Sequence, residues 1–541
     1  MHSDTGLPRN AARGLLLSAA LAACAVLATG TAARAYTFGS EVRQTGLEQT
    51  VFDWTTDSCE SDDIPDLPAR AFRDATGQVQ MIATHWVNHR ARGFDLNGVR
   101  HECATLIASQ RNSSPSAYDD LQWLASPYTI DGKTVYALMH MEYRGRDWPG
   151  QCDPNLQGAD RLKCQSYAIV ASRSTSYGNS YTRQAAPEDL VATAPYAYVP
   201  DSGQSGYIQP SNIIYRPDGY YYATIGAAEY GDQARGLCLM RTRTLWDPAS
   251  WRVWDGTGFT VRFIDPYVET SESPQDHVCT PVSPQLVNEQ MAASLTYNTY
   301  LGKYIAVGTG WGPDPQTGDQ ITGFWYSLSD DLRTWTVRRL LMRADIMSTY
   351  QCGQPDPVKD PSLLDPTSPA RNFGVTGREP YLYFTRTHVK YNSTGCSLTL
   401  DRDLVRIPLR FTVSDAGTDM PNCSSVKASP SLINSADNRW VLVTLRDPAR
   451  SLSIEIKGVT QDEAPNGIIG ARYGTVPDQV RLRAARDEDG DGRVYRILFT
   501  ATGGNGTCWG TTRVGVTRTG TAVDDNPYDV RFYNSILPPG G

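Results

Sequence analysis

The amino-acid sequence predicts an all-β fold, a five-bladed β-propeller followed by an immunoglobulin-like β-sandwich. The clearest observation is a hairpin pattern in which Pro217-Asp218-Gly219 separates an apolar run, Ile213–Tyr215, from an aromatic run, Tyr220–Tyr222. A turn of this composition between β-favouring segments is a strong hairpin signal. Variants of the pattern recur along the chain, and after Ser424 the strands alternate more regularly.

The hairpin pattern repeats at long intervals before Ser424. An apolar strand, a turn with glycine and a second apolar strand recur around Gly77, Gly132, Gly302 and Gly377. A divergent hairpin repeated in this way is typical of a β-propeller, which has one inner hairpin per blade. The segment W-Y-S-L-S-D-D-L-R-T-W-T that begins at Trp325 predicts an outer strand, a structural turn at Asp331 and a tryptophan that packs between blades.

The last hundred or so residues carry a different pattern. About six short segments alternate apolar and polar residues, among them those that begin at Trp440, Ser451, Val480, Arg493 and Thr512. Short strands at this spacing predict an immunoglobulin-like sandwich. The passage R-L-R-A-A-R-D-E-D-G-D-G-R-V-Y-R-I-L-F-T-A-T resembles the small accessory β-sandwiches of many secreted bacterial proteins, which implies attachment or spacing rather than chemistry.

The first 35 residues are predicted to be a signal peptide. Arg9 and Arg13 precede an apolar run, and Ala33-Arg34-Ala35 supplies the small residues that a signal peptidase needs. We therefore expect the propeller over residues 36–420 and the sandwich over 424–537, in a secreted or periplasmic protein. A lipid anchor on Cys24 is the less favoured interpretation, because the apolar run continues past the cleavage motif L-A-A-C that ends there.

Ten cysteines remain when Cys24 is removed with the signal peptide, an even number that suits an oxidising compartment. Sequence alone leaves their connectivity open. The simplest pairing joins neighbours: Cys59 with Cys103, Cys152 with Cys164, Cys238 with Cys279, Cys352 with Cys396, and Cys423 with Cys508. No Cys/His spacing typical of zinc occurs, so we expect no cofactor, with a structural calcium ion in the propeller as the alternative.

Charge and hydropathy exclude two kinds of partner. The net charge is −8 and no basic run occurs, whereas a nucleic-acid-binding face needs a cationic cluster. After the signal peptide, no apolar run is long enough to span a bilayer. We expect a monomer.

Carboxylates precede the inner strands of several predicted blades. These strands start near the central axis of a propeller, so the residues just before them converge on one funnel. Asp62, Asp63 and Asp66 stand before the first blade, Glu289 before the fourth and Asp360 before the fifth. Glycoside cleavage needs carboxyl groups on both sides of the scissile bond, with their pKa values held apart. Asp66, Glu289 and Asp360 are therefore the candidate catalytic residues, although aspartates at such positions also serve as turn caps.

Three motifs resemble the five-bladed propeller glycoside hydrolases, the clan of arabinanases, β-xylosidases and invertases. They are D-P-S-L-L at Asp360, Q-P-S-N-I-I with P-D-G-Y-Y-Y at Gln209, and Y-S-L-S-D-D-L-R-T-W at Tyr326. The resemblance implies a base aspartate on the first blade, best matched by Asp66, a modulating aspartate in a D-P-S motif and an acid glutamate on a later blade. Asp360 keeps the D-P-S signature, Gln209 stands where the family has the aspartate of the third blade, and Glu289 lacks the family's Glu-Gly-Pro context.

Five further residues are candidate substrate-binding residues: Asp63, Arg70, Trp86, His140 and Gln209. Trp86 follows an apolar strand, where an indole can stack on a sugar face, and packing between blades is its structural alternative. Arg70 could pair with the carboxylate of an anionic sugar. His140 could hold a water or an ion near the axis, or be a buried inner-strand histidine.

Together these patterns predict a secreted glycoside hydrolase that acts on a polysaccharide or oligosaccharide. One alternative is a non-catalytic carbohydrate-binding propeller, which need not hold two carboxylates within about 10 Å across the funnel, the separation that hydrolysis tolerates. The other alternative is a polysaccharide lyase, which needs a histidine or tyrosine base beside a basic clamp. His140 with Arg144 and Arg146 is the place where the sequence offers one.

Overall fold

The computed structural model describes residues 36–284, 288–314, 317–393, 395–412, 421, 423–463, 469–487, 492–503, 506–517 and 533–536. The predicted signal peptide and Cys24 lie outside these residues. The described chain opens with three short strands and one helical turn: β1 (Thr37–Phe38), β2 (Val42–Gln44), β3 (Gln49–Phe52) and α1 (Trp54–Asp57).

Strands dominate the rest of the described chain, which confirms the all-β prediction. Blade 1 contains β4 (Arg70–Arg73), β5 (Val79–Ile82), β6 (Arg90–Gly93) and β7 (Arg100–Glu102). Blade 2 contains β8 (Leu121–Thr129), β9 (Val135–Arg144), β10 (Gln165–Ser174) and β11 (Leu190–Thr193). Blade 3 contains β12 (Ser205–Ile208), β13 (Ile214–Tyr215), β14 (Tyr221–Ala227), β15 (Gly236–Thr242) and β16 (Arg252–Val253).

Two further sheets complete the propeller. Blade 4 contains β17 (Ser294–Asn298), β18 (Lys303–Pro313), β19 (Gln320–Ser329) and β20 (Arg339–Arg343). Blade 5 contains β21 (Val358–Leu364), β23 (Tyr381–Asn392) and β24 (Gly395–Phe411), while β22 (Val375–Thr376) pairs in parallel with β17. Short 3-10 helices lie in the loops: Pro115–Ala117, Gly145–Asp147, Gly158–Cys164, Pro248–Ser250, Pro274–His277, Glu289–Ala293, Met347–Thr349 and Cys423–Ser425.

Hydrogen bonds between neighbouring inner strands and loops close the five blades into a ring. They run from Leu124 N to Asn88 Oδ1 (2.7 Å), Ser126 Oγ to Ser211 O (2.6 Å), Leu295 N to Asn212 Oδ1 (2.8 Å), Leu363 N to Ser294 Oγ (3.3 Å) and Thr385 Oγ1 to Pro65 O (3.3 Å). The last bond joins blade 5 to the segment before blade 1. The N-terminal strands strengthen this closure, because β2 and β3 pair with β24 and β1 pairs with β20.

The predicted hairpins are present. β13 pairs with β14 around Gly219, and the hairpins at Gly77, Gly132 and Gly302 are β4–β5, β8–β9 and β17–β18. Gly77 and Gly132 have φ angles of 87° and 79°, a region that glycine adopts without steric cost. The predicted turn at Asp331 also forms, because its carboxylate accepts hydrogen bonds from the backbone N–H groups of Arg333 and Thr334.

The C-terminal strands form two sheets. One contains β25 (Lys427–Ser429), β27 (Trp440–Arg446), β29 (Ala471–Tyr473) and β30 (Gln479–Arg483). The other contains β26 (Leu432–Ile433), β28 (Ser453–Gln461), β31 (Arg493–Gly503), β32 (Gly506–Val516) and β33 (Tyr533–Asn534). Their apolar faces share one buried core, as in a sandwich; its immunoglobulin-like kind and the domain boundaries stay predictions.

The sandwich packs against one end of the ring. Leu498 of β31 is 2% exposed and belongs to an apolar cluster with Ile214, Tyr297 and Val375 of the propeller. Burial of a leucine side chain stabilises a fold by about 1.5–3 kcal/mol. This contact therefore helps to fix the sandwich on the ring.

Four predicted disulfides are confirmed: Cys59–Cys103, Cys152–Cys164, Cys238–Cys279 and Cys352–Cys396. The side chain of Cys508 lies outside the described residues, so its bond with Cys423 stays a prediction. Disulfides of this number are consistent with an oxidising compartment. Within the described ranges, no helix has the length and apolar character needed to cross a membrane.

Candidate functional site

Charged and polar side chains from four blades meet at the upper end of the ring, the end at which strands β4 and β21 begin. We call them the central cluster: Asp66, His85, Glu142, Arg144, Gln209, Lys359, Asp360 and Arg402. Asp66 and His85 come from blade 1, Glu142 and Arg144 from the end of β9, and Gln209 from the residue after β12. Lys359, Asp360 and Arg402 come from blade 5. The cluster therefore depends on ring closure.

Lys359 joins the two predicted catalytic carboxylates that the structure describes. Its Nζ lies 2.5 Å from Asp66 Oδ1 and 3.0 Å from Asp360 Oδ2. The two carboxylate oxygens are therefore no more than 5.5 Å apart. The pair therefore lies within the separation of about 10 Å that the hydrolase prediction requires.

Asp66 carries a strongly perturbed carboxyl. Arg402 Nη1 contacts it at 2.5 Å, and His85 Nε2 lies 3.6 Å from its second oxygen. Burial alone would raise the pKa of Asp66, but the charges of Lys359 and Arg402 hold that pKa well below its usual range. Asp66 is consequently ionised at all but strongly acidic pH.

The backbone of Asp360 explains why consecutive residues of β21 point into one site. Asp360 has a φ angle of 54°, and the pairing of β21 with β23 shifts register between Lys359 and Ser362. A regular strand would send the side chains of Lys359 and Asp360 to opposite faces. The irregularity brings both toward Asp66, at the cost of a strained backbone that is frequent at functional sites.

Gln209 connects blade 3 to this pair. Its φ angle is 44°, its Nε2 donates to Asp360 Oδ1 at 2.9 Å, and its backbone N–H donates to His140 Nδ1 at 3.3 Å. An amide can donate to an ionised carboxylate, which an aspartate at this position could not do. The Gln209 side chain thus helps to hold the Asp360 carboxyl in place.

Glu142 and Arg144 form a second ion pair at the end of β9. Arg144 Nη2 lies 2.7 Å from Glu142 Oε2, and His140 Nε2 lies 3.3 Å from Glu142 Oε1. Although burial opposes it, these contacts lower the pKa of Glu142 to about 2. The Arg144 guanidinium also lies 4.9 Å from the centre of the Trp86 ring, a cation–π distance.

The remaining predicted site residues occupy different surroundings. Arg70 is buried and donates to the carbonyl oxygens of Ala69 and Ala293, and its burial lowers its pKa to about 9. Asp63 accepts hydrogen bonds from His101 Nε2 at 2.7 Å and Cys59 N at 2.9 Å; these bonds lower its pKa against the effect of burial. Asp63 therefore anchors β7 rather than touching Asp66.

Three more predicted site residues are Trp86, His140 and Glu289. Trp86 is half-buried beside His85, with ring centroids 3.5 Å apart, and His140 is buried against Tyr167. Glu289 begins the 3-10 helix that precedes β17, but its side chain lies outside the described residues. The structure thus brings Asp66, Asp360 and Gln209 together and leaves the place of the Glu289 carboxyl open.

The candidates from the sequence do not include four members of the cluster, His85, Glu142, Lys359 and Arg402. Lys359 directly precedes the D-P-S motif, but alternation along a strand would have placed it on the other face. Arg402 lies in D-R-D, where alternation does hold, so Arg402 contacts Asp66 while Asp403 contacts His388. The sequence signal for Arg402 was a positively charged residue between two negatively charged ones, as in D-R-D.

The described residues offer two histidine-containing groups of candidate metal ligands outside the cluster. In the first, Cys59, Asp63 and His89, the sulfur of Cys59 is already bonded to Cys103, so we assign it no metal. The second is on blade 5. Ligand-type atoms of His388, Asp401 and Asp403 lie within 4.8 Å of one another. His388 already pairs with Asp403 at 2.9 Å and with Asp356 at 3.1 Å. These contacts account for the group as an ion-pair network, and we assign it no metal.

No family model and no curated protein matches this chain. Among solved structures, it is similar to the α-L-arabinanase of Cellvibrio cellulosa, with a TM-score of 0.34 and 12% identity over 62% of this chain and 95% of that one. It is also similar to the endo-1,5-α-L-arabinanase of Thermotoga petrophila RKU-1, with a TM-score of 0.35 and 10% identity over 86% and 100%.

A third similar structure is the endo-1,4-β-xylanase of Bacteroides thetaiotaomicron VPI-5482, with a TM-score of 0.31 and 9% identity over 62% of this chain and 95% of that one. Superpositions with TM-scores this low carry no argument about this chain. The fold rests on its own sheets and ring closure, and the site rests on its own contacts.

Proposed function

We propose that the protein is a secreted glycoside hydrolase whose site is the central cluster. The observation that supports the proposal is the convergence of Asp66 and Asp360, from the first and fifth blades, on Lys359 Nζ. Glycoside cleavage needs two carboxyl groups, and this pair supplies one of them together with the residue that positions it. The half-buried Trp86 beside them offers an apolar ring for a sugar face.

Each carboxylate has a proposed role. Asp66 is the base, because its low pKa keeps it ionised. Glu289 is the proton donor, from the start of the helix whose last residue, Ala293, accepts a hydrogen bond from Arg70. Asp360 is a positioning residue that retains Lys359 when the substrate displaces this lysine from Asp66, and the displacement raises the basicity of Asp66 at that moment.

A non-catalytic carbohydrate-binding propeller is the second candidate, and one observation favours it. Lys359 and Arg402 both engage Asp66, and a carboxylate with so low a pKa is a weak proton acceptor. The lyase alternative has less support, because both ring nitrogens of His140 are engaged, by Gln209 and Glu142. In addition, burial raises the pKa of the neighbouring Tyr167 hydroxyl.

The test is a comparison of the protein with its Asp66→Asn and Glu289→Gln variants on a panel of arabinans, xylans and pectins. Reducing-end assays measure cleavage, and affinity electrophoresis in the same polysaccharides measures binding. Asp331→Asn is the matched control, since it makes the same chemical change in a blade 4 turn that has only a structural role. Circular dichroism and thermal unfolding verify that each variant is folded.

The proposal requires cleavage by the unmodified protein and by Asp331→Asn, together with loss of at least roughly a hundredfold in folded Asp66→Asn. Equal cleavage by Asp66→Asn would overturn the assignment of the base. Binding without cleavage across the panel would overturn the hydrolase and establish the second candidate.

A further inference from the structure

A cavity of about 420 Å³ lies at the lower end of the ring, where the inner strands finish. We call it the lower cavity. All five blades of the propeller contribute to its wall, with Arg73, Thr129, Ile214, Tyr297 and Ala370 as one example from each. The sandwich closes the other side with Glu455, Lys457, Val459, Tyr473 and Leu498. The central cluster lies at the opposite ends of the same inner strands, so the two sites are separate.

Two arginines in the wall of this cavity have no carboxylate partner among the described residues. Arg73 is 1% exposed, donates from Nη1 to Ala370 O at 3.0 Å and stacks at 4.2 Å on the Phe373 ring. Its Nε has no hydrogen-bond partner among the described residues. Arg371 makes a long contact from Nη1 to Arg73 O, 3.5 Å. In the described part of the chain, no carboxylate oxygen lies within 4.0 Å of either guanidinium.

An unpaired buried guanidinium is costly, and buried charges in proteins are normally paired. Burial and the like charge of Arg371 lower the pKa of Arg73 to about 9, and Asp365 and Asp95 oppose this only from beyond ion-pair distance. The two other charged groups of the wall neutralise each other, because Lys457 Nζ pairs with Glu455 at 2.5 Å. The lower cavity therefore has an excess of positive charge.

The rest of the wall is aromatic. Six tyrosines line the cavity: Tyr128, Tyr215, Tyr221, Tyr297, Tyr304 and Tyr473. Tyrosine rings offer flat apolar faces with a polar edge, which suits the faces and hydroxyl groups of a sugar ring. The volume lies in the range of small-molecule sites, and Tyr473 and Ile130, 47% and 52% exposed, mark an open side.

We propose that the lower cavity binds a sugar acid of one or two residues, with its carboxylate paired to Arg371, whose positive charge adds to that of the buried Arg73 beside it, and its ring against the tyrosines. Arginine binds carboxylates through two parallel hydrogen bonds. The missing partner of the two guanidinium groups is then supplied by the ligand. This inference does not depend on hydrolysis at the central cluster.

The test compares two probes, D-galacturonate and D-galactose, which differ by a carboxylate in place of a hydroxymethyl group. Isothermal titration calorimetry with the full-length mature protein measures both affinities. We expect galacturonate to bind roughly tenfold or more tightly than galactose, and Arg371→Gln to abolish that preference. Arg472→Gln is the matched control, because this arginine precedes Tyr473 on β29 but stacks over Trp440 instead of lining the cavity.

Arg371 is chosen for substitution because Arg73 is fully buried and its replacement could prevent folding. Equal affinity for the two probes, or no binding of galacturonate, would overturn the proposal. A preference for galacturonate that survives Arg371→Gln but disappears in Asp66→Asn would also overturn it, since the anion would then bind at the central cluster. None of these results would decide whether the protein cleaves polysaccharides. The sugar-acid proposal and the hydrolase proposal therefore fail independently.

Discussion

Replacement of Lys359 by methionine tests whether this lysine holds the carboxylates of the central cluster together. Lys359 and Asp66 side chains are 21% and 17% exposed, so their interaction is only weakly screened by water. An opposite charge at this distance lowers a carboxyl pKa by about 1–3 units, and each unit corresponds to about 1.4 kcal/mol. Lys359→Met should therefore lower the free energy of unfolding at pH 7 by about 1.4–4 kcal/mol.

The same substitution should change the pH dependence of stability. The pKa of Asp66 is lower in the folded protein than in the unfolded chain, so its contribution is present above about pH 4 and is lost as the pH falls through the folded pKa. Lys359→Met removes much of this contribution. The difference in unfolding free energy between the two proteins should consequently shrink as the pH falls below about 4.

Urea unfolding followed by tryptophan fluorescence at pH 7, 4 and 3 measures both effects. Lys303→Met is the matched control, because Lys303 pairs at 2.8 Å with Asp330, a carboxylate that is 54% exposed. Exposed pairs contribute about 0–1 kcal/mol. If Lys359→Met cost no more than Lys303→Met at pH 7, Lys359 would not stabilise the cluster and the argument from its contacts would fail.

Three further predictions concern other parts of the molecule. Leu498→Ala should lower the free energy of unfolding by about 2–5 kcal/mol, whereas Leu442→Ala, at a position that is 39% exposed in the same sandwich, should cost about 0.5 kcal/mol or less. If urea unfolding gave the same loss of free energy for both variants, the sandwich would not pack on the ring through Leu498. NMR titration of His388 should give a pKa of about 9, chiefly because of its hydrogen bond with Asp403, and Asp403→Asn should bring it toward 6.5. Stability from this group is fully present below about pH 6.5 and lost as the pH rises through about 9; an unshifted pKa in the unmodified protein would refute the pairing. Arg371→Gln should leave the free energy of unfolding unchanged or raise it by up to about 1 kcal/mol, because it removes like-charge repulsion. Thermal unfolding without ligand measures this change, and a loss of stability would contradict the prediction.

Local signals account for what the sequence predicted well. The turn at Gly219 depends on adjacent residues, so its pattern is sufficient. The four confirmed disulfides join cysteines that follow one another in the sequence, 12 to 44 residues apart, so the simplest pairing was the right one. The position of Asp66 before the first inner strand was also predictable, because every inner strand of a propeller starts near the axis. Its convergence with Asp360 followed from the same rule.

Non-local pairing explains what the sequence could not show. Lys359 reaches Asp66 only because the backbone at Asp360 leaves the regular strand conformation, and nothing in K-D-P-S announces a positive φ angle. Arg402 meets Asp66 across 336 residues of sequence, a contact that ring closure creates. The lower cavity was missed for a related reason: Arg73 and Arg371 become neighbours only when blades 1 and 5 meet.

The two ends of the ring differ in how their buried charges are paired. At the upper end, each cation of the central cluster has a carboxylate within ion-pair distance. Removal of Lys359 therefore takes a cation away from Asp360 and from Asp66, which keeps Arg402. At the lower end, Arg73 and Arg371 repel each other without such compensation, so removal of one relieves an existing cost. In the proposed complex, the carboxylate of the bound sugar acid supplies the missing negative charge. The opposite signs expected for Lys359→Met and Arg371→Gln therefore separate a cluster built to be complete by itself from a cavity built to be completed by a ligand.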